Sequence, residues 1–316
     1  MTSVFIDGEA GTTGLQILER LKGRTDVTLA SIDPGKRKDA AARRNMLNSA
    51  DVAILCLPDD AAREAVGLIA AGSKTRVIDA STAFRVAPDW TYGFPELSKA
   101  QAARISGAKR VSNPGCYPQG LIAVVKPLID AGIMAKGYPV TYNAVSGYSG
   151  GGKKMIEDYE RAGTGAIAYL PYGLTFNHKH LAEMKHYAGL ERDPLFQPAV
   201  GNYAQGMLGA VPVFTDLLVK QVTPENIRDC LAAAYEGCAF IEVAPLADIE
   251  RSSEVNPQQL NNSNRMRLHI FANAERGQVL LVSIYDNLGK GASGAAVQNL
   301  NLMIGADEML GVDLAA

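Results

Sequence analysis

Among the four cysteines of the 316-residue chain, Cys116 has the setting of a reactive thiol. It lies in the run Ser112-Asn113-Pro114-Gly115-Cys116-Tyr117-Pro118. Pro-Gly makes a turn, and Pro118 suits the first turn of a helix, where a missing N–H is not needed. Cys116 is therefore expected at or just before a helix N-terminus. Exposed N–H groups and the positive helix end favour a thiolate there. They also stabilise an oxyanion on a carbonyl that the sulfur attacks. A buried, inert thiol is the default for any one cysteine. Cys56, inside the apolar run AILCLP, fits that default, as do Cys230 and Cys238.

A second signal stands near the start. Gly8-Glu9-Ala10-Gly11-Thr12-Thr13-Gly14 follows the apolar run at 4–6. It opens a helical pattern in which Gly14, Ile17, Leu18 and Leu21 recur at i, i+3, i+4 and i+7. The spacing is G-x-x-G-x-x-G rather than the commoner G-x-G-x-x-G. A tight structural turn is the plain alternative. The strand before and the amphipathic helix after favour a dinucleotide site, with the pyrophosphate at the helix N-terminus. Gly8, Gly11, Thr12, Thr13 and Gly14 are the expected contacts. The second strand ends at Asp33, which by the general rule holds a ribose 2′-OH and favours NAD. Lys36, Arg37 and Lys38 follow at once and suit a 2′-phosphate, or form a solvated loop. Physics alone leaves NAD and NADP open.

A nucleotide fold with a poised thiol is a restrictive pair, because hydride transfer alone needs no thiol. A thiol adds to an aldehyde, the hemithioacetal loses hydride to a nicotinamide, and phosphate cleaves the thioester. In reverse, an acyl phosphate acylates the thiol and the thioester is reduced. Such chemistry needs a base. His178-Lys179-His180-Leu181-Ala182-Glu183 holds two of the four histidines, and histidine is the natural proton carrier. A metal reading lacks a third ligand at helical spacing, so no metal is expected. The glycine loop at 146–153 precedes the helical run KKMIEDYE and offers backbone N–H groups to a cofactor or phosphate. Gly147-Tyr148-Ser149-Gly150-Gly151 also matches the G-x-S-x-G elbow of a serine hydrolase, with His269 downstream. That reading leaves the glycine turn and Cys116 unexplained. No tyrosine has a lysine four residues on, which removes short-chain dehydrogenase chemistry. A non-enzymatic NADP sensor would need no poised thiol.

These residues require a scaffold. The first third alternates apolar strands (4–6, 27–32, 51–58, 76–81) with helices, one opening at Asp59 and Asp60 and ending at Gly72. That pattern predicts a Rossmann-like, doubly wound parallel sheet in an α/β protein. Near residue 110 the pattern changes. LIAVVKPLIDAGI reads as a helix, and longer alternating strands dominate from 138 to 288. They predict a second α+β domain with a large mixed or antiparallel sheet, including a hairpin at Glu275-Arg276-Gly277. The run GASGAAVQNLNLMIGADEML reads as a last helix. The expected domains are 1–116 with 289–316, and 117–288.

Composition sets the outer limits. Hydrophobic residues make up 47% and charged residues 20%, a globular balance. Lys and Arg total 31 against 33 Asp and Glu, so no basic excess drives nucleic-acid binding. No apolar run reaches the roughly 20 residues of a membrane helix. The first residues, MTSVFIDGEAG, do not show a basic start followed by a long apolar run, so no secretory leader is expected. The cysteines are too few and scattered for a disulfide scaffold. The expected class is a soluble cytoplasmic enzyme with no nucleic-acid or membrane partner.

The motifs together carry a resemblance over nearly the whole chain. DASTAFR (79–85), YGFPEL (92–97), SNPGCYP (112–118), SGYSGGGK (146–153), HKHLAE (178–183), GNYAQGM (201–207) and DNLGKGASGAAVQNLNLM (286–303) join the glycine turn. The chain resembles the shorter N-acetyl-γ-glutamyl-phosphate reductases of arginine biosynthesis, within the semialdehyde dehydrogenase superfamily. NPGCYP and HKHLAE favour that family over aspartate-semialdehyde and glyceraldehyde-phosphate dehydrogenases. The resemblance implies Cys116 as nucleophile, NADP as cofactor and a small acyl phosphate as substrate. It implies His178 as acid/base with Glu183 orienting it, His180 being the other candidate. It implies Arg85, Asn113 and Ser146 at the substrate, and Ser81, Gly147, Gly150 and Asn287 at the cofactor. A homodimer or homotetramer is expected. Gln119 departs from the threonine usual after Cys-Tyr-Pro.

Overall fold

The computed structural model describes residues 1–246 and 255–314. The chain divides into two compact units, Met1–Pro95 with Lys99–Pro114 and Ala292–Ala316, and Glu96–Ser98 with Gly115–Gly291. Parts of both expected domains, 247–254 and 315–316, lie outside the described residues.

The first unit runs β1 (Thr2–Asp7), α1 (Thr12–Leu21), β2 (Val27–Ala30), α2 (Ala40–Ser49), β3 (Val52–Leu55), α3 (Asp59–Leu68), β4 (Arg76–Asp79), β5 (Thr91–Tyr92), α4 (Gln101–Gly107) and β6 (Arg110–Ser112). Its parallel sheet has the order β2-β1-β3-β4-β6-β5. Strand order reverses at β1, the switch point where such sheets bind ligands, and the glycine turn follows that strand. Every residue of β3 is buried, as helices on both faces demand. Phe5, Ala53, Leu55 and Val77 pack with Leu47, Ala65 and Trp90.

The second unit runs α5 (Cys116–Asp130), β7 (Thr141–Gly147), α6 (Gly152–Ala162), β8 (Tyr169–Pro171), α7 (Leu181–Ala188), β9 (Leu195–Gly201), β10 (Met207–Phe214), α8 (Pro224–Ala234), β11 (Ile241–Val243), β12 (Met266–Asn273) and β13 (Gln278–Tyr285). Its mixed sheet has the order β11-β12-β13-β10-β7-β9-β8. The β12–β13 hairpin turns through a 3-10 segment, Ala274–Arg276, and Gly277 at φ 60. A π-helical turn (Gly289–Ser293) leads into α9 (Gly294–Ile304), which belongs to the first unit. There Arg20 donates to Ser293 Oγ at 3.1 Å, Arg24 to Asn301 Oδ1 at 2.6 Å and Arg76 to the Met303 carbonyl.

Several expectations need correction. The helix opened by Asp59 stops at Leu68, not Gly72, because Ile69 is already extended. The last helix stops at Ile304 on a left-handed Gly305, short of residue 310. The second strand ends at Ala30, and Asp33 caps the 3-10 turn beyond it. Unforeseen were α2, whose sequence AAARRNMLNS has almost no apolar period, and the strands β8 and β9, which carry Pro171 and Pro198.

Helix α5 is buried on every side from Tyr117 to Val125, and it contains Pro127. A proline inside a helix leaves the carbonyl four residues back without its donor. That carbonyl is Ala123, and the buried Tyr235 hydroxyl donates to it at 2.8 Å. Tyr235→Phe strips this donor and should destabilise the protein by about 1–3 kcal/mol, the cost of orphaning a buried carbonyl. Urea unfolding of the two proteins checks it, and equal midpoints would refute the compensation.

Candidate active site

Cys116 is the first residue of α5, with Gly115 as N-cap. Gly115 brings no side chain, so no capping oxygen of its own reaches the N–H groups of the first turn. The Gly115 N–H itself is buried and donates to Glu183 Oε1 at 2.7 Å. Glu183 stands in the first turn of α7 and is 2% exposed. The geometry thus links Glu183 to the cysteine's own turn, a contact that the sequence reading did not expect.

His178 lies in an aromatic nest, with ring centroids 6.2 Å from Tyr117, 5.8 Å from Tyr172, 5.1 Å from Phe196 and 4.7 Å from His180. Tyr117 follows Cys116 directly, so α5 brings thiol and histidine motif together. His178 Nδ1 accepts the His180 N–H at 3.1 Å. That bond fixes the neutral ring with its hydrogen on Nε2. His178 is half-buried, whereas His180 is 5% exposed.

Gln119, the departure from the family pattern, points into the protein. Its Nε2 donates to the Lys290 carbonyl at 2.6 Å. Lys290 is fully buried, and its Nζ reaches both oxygens of Glu96 at 2.7 and 2.8 Å. This pair fixes the turn that carries Gly291, where a Cβ would stand 3.2 Å from Cys116 Cβ. Sequence reasoning missed the pair because Glu96 and Lys290 are far apart in the chain. The GKG run was the available signal.

The expected ligand loops are placed less uniformly. Gly147, Tyr148 and Ser149 give their N–H groups to the carbonyls of Gly206, Tyr203 and Ala204. These groups are spent inside the protein. Ser146 is buried, and its hydroxyl donates to the Gly147 carbonyl. Asn287 accepts from the Gly206 N–H at 2.7 Å and donates to Ser149 Oγ at 3.0 Å. Its amide is therefore committed to two loops. The Ser149 hydroxyl meets this amide rather than a histidine, so the elbow reading finds no base.

In the first unit, the glycine turn is closely built. Gly8 has φ +91, and a Cβ there would come 2.3 Å from the Cys56 carbonyl oxygen. A Cβ on Gly14 would come 2.5 Å from the Gly8 carbonyl oxygen. Gly11 caps α1 without a side chain, and Thr12 and Thr13 form its first turn. The uncapped N–H groups suit a pyrophosphate. Asp33 Oδ1 accepts the Gly35 N–H at 2.9 Å, and Arg37 pairs with Glu9 of the glycine turn at 2.6 Å.

Arg85 is buried, and it donates to the carbonyls of Asn113 and Ala80, both at 3.1 Å. Its neighbour Asn113 is bonded as well. Its N–H donates to the Asp79 carbonyl, its Nδ2 to the Ala292 carbonyl, and its Oδ1 accepts from Asn299. Asn113 is thus a hub of its own unit, with one amide hydrogen beyond these bonds. Ser81 donates to Asp79 Oδ2 at 2.6 Å. Burial raises the Asp79 carboxyl to about 6, against the lowering effect of Ser81 and Arg85. Burial pushes the Cys56 thiol up to about 12, aided by Asp79 and Asp7, as an inert thiol requires. Among the described residues, no group of three His, Cys, Asp or Glu could hold a metal ion. No helix there is long and apolar enough to cross a membrane.

Comparison with known proteins agrees with this geometry. Residues 3–105 match the family described as semialdehyde dehydrogenase, NAD binding domain, and residues 116–287 match its dimerisation domain. A protein of Chelativorans sp. (strain BNC1) named N-acetyl-gamma-glutamyl-phosphate reductase is 57% identical, over 95% of this chain and 97% of its own. Relatives of the same name from Mesorhizobium japonicum and Rhizobium meliloti are 54% and 52% identical, each over 96% of this chain and 98% and 99% of theirs. Among solved structures, aspartate semialdehyde dehydrogenase from Francisella tularensis superposes with TM-score 0.73 at 15% identity, covering 96% of this chain and 100% of that one. The Vibrio cholerae aspartate semialdehyde dehydrogenase II complexed with ASA gives 0.71 at 17%, covering 96% and 98%. These two likenesses show the fold alone.

Asp79 makes stability depend on pH. Its folded value of about 6 lies above the ordinary 3.8. Between those values the folded state holds a proton that the unfolded chain gives up. Stability should therefore fall as pH rises from about 4 to about 6, by up to about 3 kcal/mol, and stay lowered above that. Asp79→Asn should flatten this segment. Urea unfolding from pH 4 to 8 measures it, and an unchanged profile in the variant would remove Asp79 as the cause.

Proposed function

The chain belongs to the N-acetyl-γ-glutamyl-phosphate reductase family of semialdehyde dehydrogenases, and from that premise we propose that it reduces N-acetyl-γ-glutamyl phosphate to N-acetylglutamate 5-semialdehyde and phosphate in arginine biosynthesis. It is a phosphorylating oxidoreductase with a nicotinamide cofactor. The proposal rests on Cys116 at the first position of an uncapped helix, tied through Gly115 to Glu183.

The Cys116 thiolate attacks the acyl carbonyl. A C–S bond forms, the C–O bond to phosphate breaks, and phosphate leaves. The N–H groups at the start of α5 face the oxyanion of this step. When bound, the reduced cofactor supplies hydride to the thioester carbon. His178, with its hydrogen on Nε2, donates to the resulting oxyanion. Collapse then re-forms the carbonyl, breaks the C–S bond and releases the aldehyde, leaving Cys116 as thiolate, with the His178 Nε2–H holding the oxygen by a hydrogen bond throughout. His180 supports the ring through its N–H, and Glu183 holds the turn. The substrate is assigned to Arg85, Asn113 and Ser146. Gly8, Gly11, Thr12, Thr13, Gly14, Ser81, Gly150 and the backbone at Gly147 and Asn287 are assigned to the cofactor, with the cofactor domain spanning 1–116 and 289–316.

We assign NADP rather than NAD. What supports this is that one Asp33 oxygen caps its own turn, while Arg37 of the basic run stands against the glycine turn through Glu9. Lys36, Arg37 and Lys38 would hold a 2′-phosphate. A cytoplasmic homodimer or homotetramer is proposed as well. Its support is the match to a dimerisation domain. In addition, β10 turns Leu208, Ala210, Pro212 and Phe214 outward beside Leu280 of β13, an apolar face suited to a second copy.

Cys116→Ser should lose nearly all turnover, because an alkoxide is poorly available and an ester accepts hydride badly. His178→Asn should slow turnover by roughly 10²–10⁴-fold, the usual range for acid–base catalysis. Phosphate-dependent NADP reduction with N-acetylglutamate semialdehyde reads both, run beside aspartate semialdehyde. Iodoacetamide should label Cys116 ahead of Cys56, Cys230 and Cys238, and substrate should protect it. Reductase activity that survives in Cys116→Ser would overturn the mechanism. For the cofactor, kcat/KM should be higher with NADPH than with NADH. Equal values, or a preference for NADH, would sink the NADP assignment.

A further inference from the structure

Tyr285 ends the central strand β13, paired with Met207 of β10 on one side and Met266 of β12 on the other. Its ring is fully buried, and its hydroxyl meets the first turn of α5. We propose that the Tyr285 hydroxyl is a positioning group for the nucleophile, which it places by holding the Cys116 carbonyl. The inference rests on the reading of Cys116 as nucleophile.

The Tyr285 hydroxyl donates to the Cys116 carbonyl at 2.6 Å, and it accepts the Gly120 N–H at 3.3 Å. It therefore links the two residues that the helical ladder itself joins. The neighbouring carbonyl, of Tyr117, accepts from the Tyr142 hydroxyl at 3.1 Å. The turn is thus held from the sheet side by two phenols on strands, which are stiffer supports than a loop. A third hydroxyl, of Ser283, completes the cluster.

Gly120 records the demand for this space. A Cβ there would come 2.4 Å from Ser283 Oγ, 2.7 Å from the Tyr142 hydroxyl and 2.8 Å from the Tyr285 hydroxyl. Glycine inside a helix costs about 1 kcal/mol relative to alanine. Here any side chain would push the hydroxyls off the turn. Burial raises both phenols above their ordinary value, so they stay protonated donors at neutral pH. A first helical turn is the part most prone to fray. A second bond on the Cys116 carbonyl restrains the backbone that sets the direction of the thiol. Misplacing a reacting atom by about 1 Å can cost about 100-fold in rate.

The test uses the full-length protein with Tyr285→Phe, Gly120→Ala and Tyr142→Phe. Tyr285→Phe should lower kcat by about 10- to 100-fold with KM for the acyl phosphate little changed. It should also slow iodoacetamide labelling of Cys116 in the folded protein. Gly120→Ala displaces the same hydroxyl from the helix side and should reproduce both effects. It decides alone should Tyr285→Phe not fold. Tyr142→Phe removes the donor to Tyr117 and the contact between the two phenols but leaves the Tyr285 bond on the Cys116 carbonyl, so its loss should be smaller. Wild-type kcat and labelling rate in Tyr285→Phe would overturn the proposal. So would an equal loss in Tyr142→Phe, which would mark general packing. Both outcomes differ from failure of the underlying reading, in which Cys116→Ser itself keeps its activity.

Discussion

The first turn of α5 must satisfy two opposed demands. To favour a thiolate, its N–H groups have to stay open toward incoming negative charge, so no side chain caps them. An uncapped turn is also the least secure part of a helix. The fold resolves this by holding everything around the open groups. Glu183 takes the Gly115 N–H behind the turn. The phenols of Tyr142 and Tyr285 take carbonyls beneath it. Gln119 reaches forward to the Lys290 carbonyl. The rest of the helix is buried all round, and Tyr235 repairs its one break at Pro127.

The Lys290–Glu96 pair is best understood through this constraint. Burying two charges is expensive, and such a pair rarely adds net stability. Here both carboxylate oxygens are engaged, and the lysine lies 5.4 Å from the Phe240 ring centroid. What the pair secures is location. It anchors a glycine-rich turn whose Gly291 leaves no room for a side chain beside Cys116. Gln119 bonds to the carbonyl of that same lysine. The longer side chain, in place of the usual threonine, therefore has a partner of its own.

The first unit shows the same logic at the ends of its strands. Asp7 ends β1 and is paired with Arg43 at 2.9 Å, yet its carboxyl is raised because burial outweighs the guanidinium. Asp79 ends β4 with only Ser81 on one oxygen and is raised further. Polar groups gather at the carboxyl ends of these strands, and the unit tolerates their desolvation there. Asn113 and Asn299 carry the opposite role. Their amides close backbone groups that no ladder reaches, including the Gly93 carbonyl at 2.9 Å.

Local sequence was enough to determine the features whose cause is local. The apolar strands of the parallel sheet, the turn at Gly8–Gly14, the hairpin at Gly277 and the placement of Cys116 at a helix start all follow from residue types a few positions apart. Propensity and backbone geometry act over that same distance. Helix ends were less legible: Ile69 turns extended after Leu68 with no breaker residue, and α9 stops at Gly305, inside a run whose residues read as helical on both sides. Strands β8 and β9 were hidden because they are recognised by their partners across a sheet, not by their own prolines. The partners of the site were not legible at all. Glu183 on Gly115, Tyr285 on Cys116 and Lys290 on Glu96 each join residues 68, 169 and 194 positions apart. Sequence can name the side chain able to donate or accept. Which buried group it meets depends on how strands and helices pack, and only the tertiary structure decides that.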